Sequence, residues 1–251
     1  MIHIQDLNVT YQQTTAIQNL TVTIPANVRM AIVGPNGAGK STFIKAMLGL
    51  VKASQQELTI FDQPVNQVRD RIAYVPQTSE VNWNFPTTVF DVILMGVSSK
   101  RLGFQRITAA SRAKVEQALT AMELTDLRNR PINQLSGGQK QRVFLARAIA
   151  QDADLYILDE PLAGVDMKSE ALIMAQLKEF QHLGKTSITV HHDLNTVPAY
   201  FDSVMLLNRE LIALGPLDDT FTQANIDLAY YGAVVDRTEP AIRQGSVPNV
   251  N

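Results

Sequence analysis

Apolar positions in the first eleven residues alternate with polar ones: Ile2 and Ile4, then Leu7, Val9 and Tyr11 after one shift of phase. A period of two predicts a strand here, read as an edge strand with a small offset. Residues 28–33 (VRMAIV) predict a second strand that runs straight into Gly34. In residues 41–50 the apolar side chains Phe43, Met47 and Leu50 recur at helical spacing, so a helix follows that glycine. ELTIF at 57–61 and RIAYV at 71–75 read as short strands. From about 86 to 150 the pattern turns helical, with Val115, Leu119 and Met122 on one face of SRAKVEQALTAMEL. LYIL (155–158), ITV (188–190) and VMLL (204–207) are short, unbroken apolar runs. Such runs alternating with helices predict a parallel sheet buried on both faces. Residues 233–251 are polar and proline-bearing and read as a loose tail.

Composition narrows the picture. The 251 residues are 45 % hydrophobic and 18 % charged, enough apolar material for a real core in one large domain or two small ones. A formal net charge of -2 without like-charged blocks gives no support to a nucleic-acid partner. There is no cysteine, and His3, His182, His191 and His192 do not form a zinc-ligand pattern. The N-terminus lacks the basic start and apolar stretch of a signal peptide. No window approaches 18 uninterrupted apolar residues, so if the chain serves transport another chain must supply the pore.

The first chemical signal is GPNGAGKST: Gly34, Pro35, Asn36, Gly37, Ala38, Gly39, Lys40, Ser41 and Thr42. It fits the phosphate-loop pattern G-x-x-x-x-G-K-[ST] between a predicted strand and a predicted helix. Glycines let backbone N–H groups curl around a triphosphate, and the helix start adds its positive dipole end. Lys40 is placed to reach the outer phosphates and Ser41 to offer its hydroxyl to Mg²⁺. This much fits a kinase, a GTPase or any phosphate-loop ATPase. The second signal is LYILDE, which sets Asp159 and Glu160 at the carboxyl end of a buried strand, where open α/β sheets bind ligands. Asp159 suits the Mg²⁺ of an ATP complex. Glu160 points elsewhere and suits the orientation of an attacking water. The third is LSGGQ at 135–139, with Ser136 in N-cap position ahead of an apolar-faced helix and Gly137, Gly138 and Gln139 opening its first turn.

Together these three motifs resemble the ABC ATPase family, from about residue 2 to residue 232. The resemblance implies an α/β phosphate-loop core with a mostly parallel sheet, an antiparallel β part at the N-terminal side and a helical insert near 86–150. It implies ATP hydrolysis with Mg²⁺, and a homodimer in which the 136–139 loop closes over the phosphate held by the second copy. In that family's pattern Tyr11 stacks on adenine, Gln77 in AYVPQ senses Mg²⁺ and the outer phosphate, His192 contacts that phosphate, and Asp166 in AGVD lies at the crossing to the partner. Residues 81–96 and 190–208 are similar to the ATPases of manganese, zinc and iron(II) importers. Members of that group often carry an acidic residue beside the tryptophan, where this chain has Asn82 and Asn84. The implied partners are integral membrane permease subunits and, indirectly, an extracytoplasmic metal-binding protein. The implied location is the cytoplasmic face of the cell membrane, with manganese the first cargo expected and zinc the second. Trp83, Phe85 and Pro86 either receive the permease or, for Trp83, pack the helical part. A DNA-repair or chromosome ATPase shares two of the motifs but separates them with a long heptad coiled coil, which is absent here. Haem, siderophore or vitamin import is a further alternative.

Overall fold

The computed structural model describes residues 1–83, 85–98 and 108–232. The tail predicted at 233–251 lies outside them. Two sheets are built from nine strands: β1 Ile2–Tyr11, β2 Thr14–Ile24, β3 Arg29–Val33, β4 Glu57–Ile60, β5 Ile72–Val75, β6 Leu155–Asp159, β7 Thr186–Val190, β8 Ser203–Asn208 and β9 Glu210–Pro216. The helices are α1 Lys40–Met47, α2 Val89–Ser98, α3 Ala109–Ala121, α4 Gly137–Gln151, α5 Met167–His182, α6 Val197–Tyr200, α7 Leu217–Thr220 and α8 Gln223–Tyr231.

The small sheet is antiparallel with order β2-β1-β4, so β1 lies at its centre and is not an edge strand. Alternation reports which face is buried, and a central strand of a sheet with one wet face alternates as cleanly as an edge strand. The phase shift is real. Ile2 and Ile4 are buried, then Leu7 and Val9, with the register broken between Ile4 and Leu7. Asp6 makes the break, at φ 54 with its N–H donating to Thr21 Oγ1 at 3.0 Å. Strand β2 escaped the pattern reading because it carries its own break at Asn19 (φ 48), between Ile17 and the buried series Leu20, Val22 and Ile24.

The large sheet has order β5-β6-β7-β3-β8-β9, parallel except for β9. Its parallel strands are buried on both faces, which is why their sequences read as largely apolar runs, whereas β9 at the edge is only partly buried. Met30 and Ile32 face a core shared with the small sheet and with Phe43, Ile44 and Met47 of α1. Ala31 and Val33 face a second core with α4, α5 and the helical part, where Val115, Leu119 and Met122 are buried. Each such side chain contributes roughly 1.5–3 kcal/mol on burial. Leu50 departs from expectation: α1 ends at Met47, and Leu50 is 58 % exposed beyond it. The strand order has one consequence for chemistry. The carboxyl ends of β5, β6, β7 and β3 are neighbours, so the segments that follow them converge on one edge.

Candidate active site

The segment between β3 and α1 forms one wall of a cleft lined by residues 36–42, Glu160 and His192. Gly39 caps α1 in the left-handed region, at φ 93, which turns the chain from loop to helix. Lys40 folds over its own loop, its Nζ donating to Gly34 O at 2.8 Å and Pro35 O at 2.9 Å. Burial pulls this ammonium's pKa down, while the charges of Glu160 and then Asp159 work against that pull.

Ser41 Oγ donates to Asp159 Oδ1 at 2.9 Å, a contact between the first turn of α1 and the last residue of β6. The serine oxygen keeps its lone pairs. Asp159 is fully buried and its Oδ2 has no hydrogen-bond partner among the described residues. Burial raises its pKa first of all, the Ser41 hydrogen bond opposes, and the Glu160 charge adds to the rise. A buried carboxylate with one unmatched oxygen beside a hydroxyl is a donor set suited to a hard cation. Mg²⁺ therefore fits these residues.

Glu160 follows in the left-handed region at φ 53, which swings its side chain away from that of Asp159. Gln77 Nε2 donates to Glu160 Oε2 at 2.9 Å, and His192 Nε2 lies 2.5 Å from Glu160 Oε1. Both carboxylate oxygens are thus held by residues delivered from the ends of β5 and β7. His191 points the opposite way. It is buried against Tyr200 and Phe201, with Nε2 2.7 Å from Thr196 Oγ1. Burial lowers its pKa, so the folded chain resists a proton that the unfolded chain, titrating near 6.5, accepts. Stability is then complete above the unfolded value and is lost as pH falls through it toward the folded one. The melting temperature of the wild type should drop more steeply than that of His191→Gln between about pH 7 and pH 5. Parallel curves in thermal melts would refute the assignment.

Ser136 caps α4. Its hydroxyl accepts from Gln139 N at 3.3 Å, and Gln139 Oε1 accepts from Ser136 N at 3.0 Å, a reciprocal capping box. Asp166 caps α5 in the same manner, accepting from Ser169 N and Ser169 Oγ, both at 2.9 Å. These hydrogen bonds hold the Asp166 carboxyl below its ordinary pKa. The two helix starts abut at Gly138, where a Cβ would lie 2.6 Å from Asp166 Oδ2 and 2.8 Å from Ser169 Oγ. A side chain there would have to displace the Asp166 carboxylate or the Ser169 hydroxyl. Asp166 is thus engaged within its own chain. None of residues 135–139 lines the cleft that holds the phosphate loop.

The model of the ABC transporter family matches residues 17–163. This chain belongs to the ABC transporter family. The manganese transport system ATP-binding protein MntB of Listeria monocytogenes is 48 % identical over 234 residues, covering 93 % of this chain and 98 % of that protein. The zinc transport system ATP-binding protein TroB of Treponema pallidum is 46 % identical over 233 residues, covering 93 % of this chain and 88 % of that protein. Among solved structures, a dimeric bacterial ABC transporter cassette superposes with a TM-score of 0.76 at 28 % identity, over 86 % of this chain and 99 % of that one. The same cassette is also known as a dimer in a post-hydrolysis state with ADP and phosphate. This ABC protein is accordingly an ATPase with the cassette fold, its ATP hydrolysis coupled to transport.

Several positions of the ABC chain were less legible. Tyr11 ends β1 with its ring 46 % exposed and does not line the phosphate cleft. The strand beyond it returns close to the loop, since Ala16 O lies 2.4 Å from where a Gly39 Cβ would stand. Trp83 packs the helical part: its ring meets Phe144 edge-on at 5.2 Å, Lys140 sits over it at 4.9 Å, and Nε1 donates to Thr78 O at 2.8 Å. Phe85, by contrast, is 60 % exposed. No motif flagged Lys45, one turn after Ser41, whose Nζ bonds Glu80 Oε1 at 2.5 Å and so ties α1 to the segment after Gln77. Its only sequence signal is the i+4 spacing from Ser41, which does not name the distant partner.

Proposed function

We propose that this chain is the ATP-binding and hydrolysing subunit of an importer for a divalent transition metal, manganese first and zinc second. The convergence of Gln77 and His192 on Glu160 at the mouth of the phosphate loop carries the catalytic part of that reading. The manganese and zinc systems to which the relatives belong carry the choice of cargo. The longest described helix is 16 residues, far short of the coiled coil of a chromosome ATPase. No described helix is long and apolar enough to cross a membrane, so the pore is assigned to separate permease subunits. The chain then works as a peripheral protein at the cytoplasmic face, and an extracytoplasmic binding protein supplies the metal to the permease.

Residues 1–232 act as one ATPase unit with a helical part at 86–150. Residues 34–42 wrap the phosphates of ATP, with Lys40 leaving its own carbonyls for the outer phosphates. Ser41, Asp159 and Gln77 hold Mg²⁺, which when bound neutralises charge on the outer phosphates. Glu160 accepts the proton of the attacking water, His192 contacts the outer phosphate, and Tyr11 stacks on the adenine. Ser136, Gly137, Gly138 and Gln139 present an open helix start to the phosphate bound by a second copy, with Asp166 beside them at the crossing. Their absence from the chain's own phosphate cleft is what supports an assembly with two-fold symmetry and two shared sites. In a strain lacking this chain, manganese uptake should be largely lost and zinc uptake less affected. The wild-type chain should restore it, and a Glu160→Gln chain should not. Unchanged uptake of both metals would overturn the proposal.

A further inference from the structure

Two buried polar atoms near the phosphate loop have no hydrogen-bond partner among the described residues: Tyr74 Oη and Asp159 Oδ2. They are complementary, one a hydroxyl and the other a carboxylate oxygen, and they share a face of the large sheet. Strands β5 and β6 run parallel with Tyr74 opposite Ile157, and Asp159 is two residues beyond Ile157, so both side chains project toward α1. Tyr74 packs in the core that contains Phe43, Ile44 and Met47 of that helix, and Asp159 receives the Ser41 hydroxyl from the same helix. One turn below Ser41, Lys45 is paired to Glu80. Burial, followed by the negative charges of Asp159 and Glu80, pushes the Tyr74 phenol well above its ordinary pKa. A tyrosine hydroxyl carries its proton at neutral pH in any case, and so is a donor beside carboxylates.

We propose that Tyr74 is a positioning residue of the metal site: its hydroxyl donates to one bridging water that in turn donates to Asp159 Oδ2, and so fixes the carboxylate that faces Mg²⁺. A buried donor and a buried acceptor are each costly to leave unmatched, and a single short bridge satisfies both. The role rests on the reading of Asp159 as a metal-holding residue. Tyr74 touches neither nucleotide nor reacting water; it acts through Asp159.

The test uses the purified full chain with ATP, and Mn²⁺ in place of Mg²⁺ as a paramagnetic probe whose binding is read by electron paramagnetic resonance. Tyr74→Phe should weaken Mn²⁺ binding to the ATP complex about tenfold, as expected for one lost hydrogen bond to a charged group. ATP affinity measured in a chelator should not change, and the metal-free melting temperature should fall slightly, since the buried Asp159 carboxylate loses a donor. In an Asp159→Asn background the same change should add less than about twofold, because the charged acceptor is gone. Equal effects in the two backgrounds, or a loss of ATP affinity without metal, would each overturn the role. If Asp159→Asn weakens Mn²⁺ binding and Tyr74→Phe does not, Tyr74 alone is refuted. If Asp159→Asn leaves Mn²⁺ binding intact, the metal-site reading fails, and the Tyr74 role fails with it.

Discussion

Replacing Glu160 with Gln is expected to leave ATP binding intact and to slow hydrolysis by at least about a hundredfold. The substitution keeps the shape of the side chain and removes its charge and basicity. None of the phosphate-loop residues changes, so the cradle of 34–42 and the Ser41–Asp159 contact persist. What is lost, on the proposed role, is the acceptor for the proton of the attacking water. General-base assistance is typically worth about 10²–10⁴ in rate, or roughly 3–5.5 kcal/mol of barrier. The geometry favours Glu160 over Asp159 for the proposed base role. Asp159 is fully buried and bonded to Ser41, whereas Glu160 turns through a left-handed φ into the cleft, with Gln77 and His192 holding its oxygens. Single-turnover kinetics with enzyme in excess of ATP gives the rate. Near-normal turnover would remove Glu160 from the role. The same variant should accumulate as an ATP-loaded dimer in light scattering, since closure needs only that ATP bind the closed state better than the open one.

Gly39→Ala is expected to destabilise the fold substantially. Gly39 has φ 93, a region that costs an L-residue roughly 1–2 kcal/mol. The new Cβ would also stand 2.4 Å from Ala16 O and 3.2 Å from Ile17 Cγ1. A backbone carbonyl in a paired strand cannot step aside as a flexible side chain does, and overpacking of this kind costs about 1–3 kcal/mol. The total is about 2–5 kcal/mol, which lowers the melting temperature of a domain of this size by on the order of 10 °C. Because Gly39 is also the N-cap of α1, any relief of the clash must move the N–H groups that face the phosphates. ATP affinity should fall together with the melting temperature. Thermal melts with a fluorescent ATP analogue measure both, and wild-type values for each would contradict the steric account.

Much of the site is readable in one dimension because its demands are local. The turn from strand to helix needs glycine at fixed places, so GPNGAGKST announces itself, and the structure finds the left-handed turn at Gly39. The cap at Ser136 needs only a hydroxyl and a glutamine three residues apart, and both hydrogen bonds form. Strands buried on both faces need unbroken apolar residues, and LYIL, ITV and VMLL supply them. Where a strand carries a kink, periodicity fails: β2 was invisible because Asn19 flips its phase, and Leu50 looked buried because a helical spacing was extended past the end of the helix.

The residue types, their local turns and caps, and the identity of the described strands other than β2 and β9 were thus determined by the chain's own order, since each depends on neighbours within about one turn or one strand. Which side chains meet was decided only by folding. Gln77 and Glu160 are 83 positions apart and Ser41 and Asp159 are 118 apart, and nothing local encodes their contact. The parallel order β5-β6-β7-β3 brings them to one edge. The same order sets Tyr74 on the sheet face that carries Asp159, sends His191 into the core while His192 reaches Glu160, and packs Trp83 on Phe144. The physical reason is that register across a sheet is a property of the closed core, in which both faces must be filled at once, and no segment of this chain fills both alone.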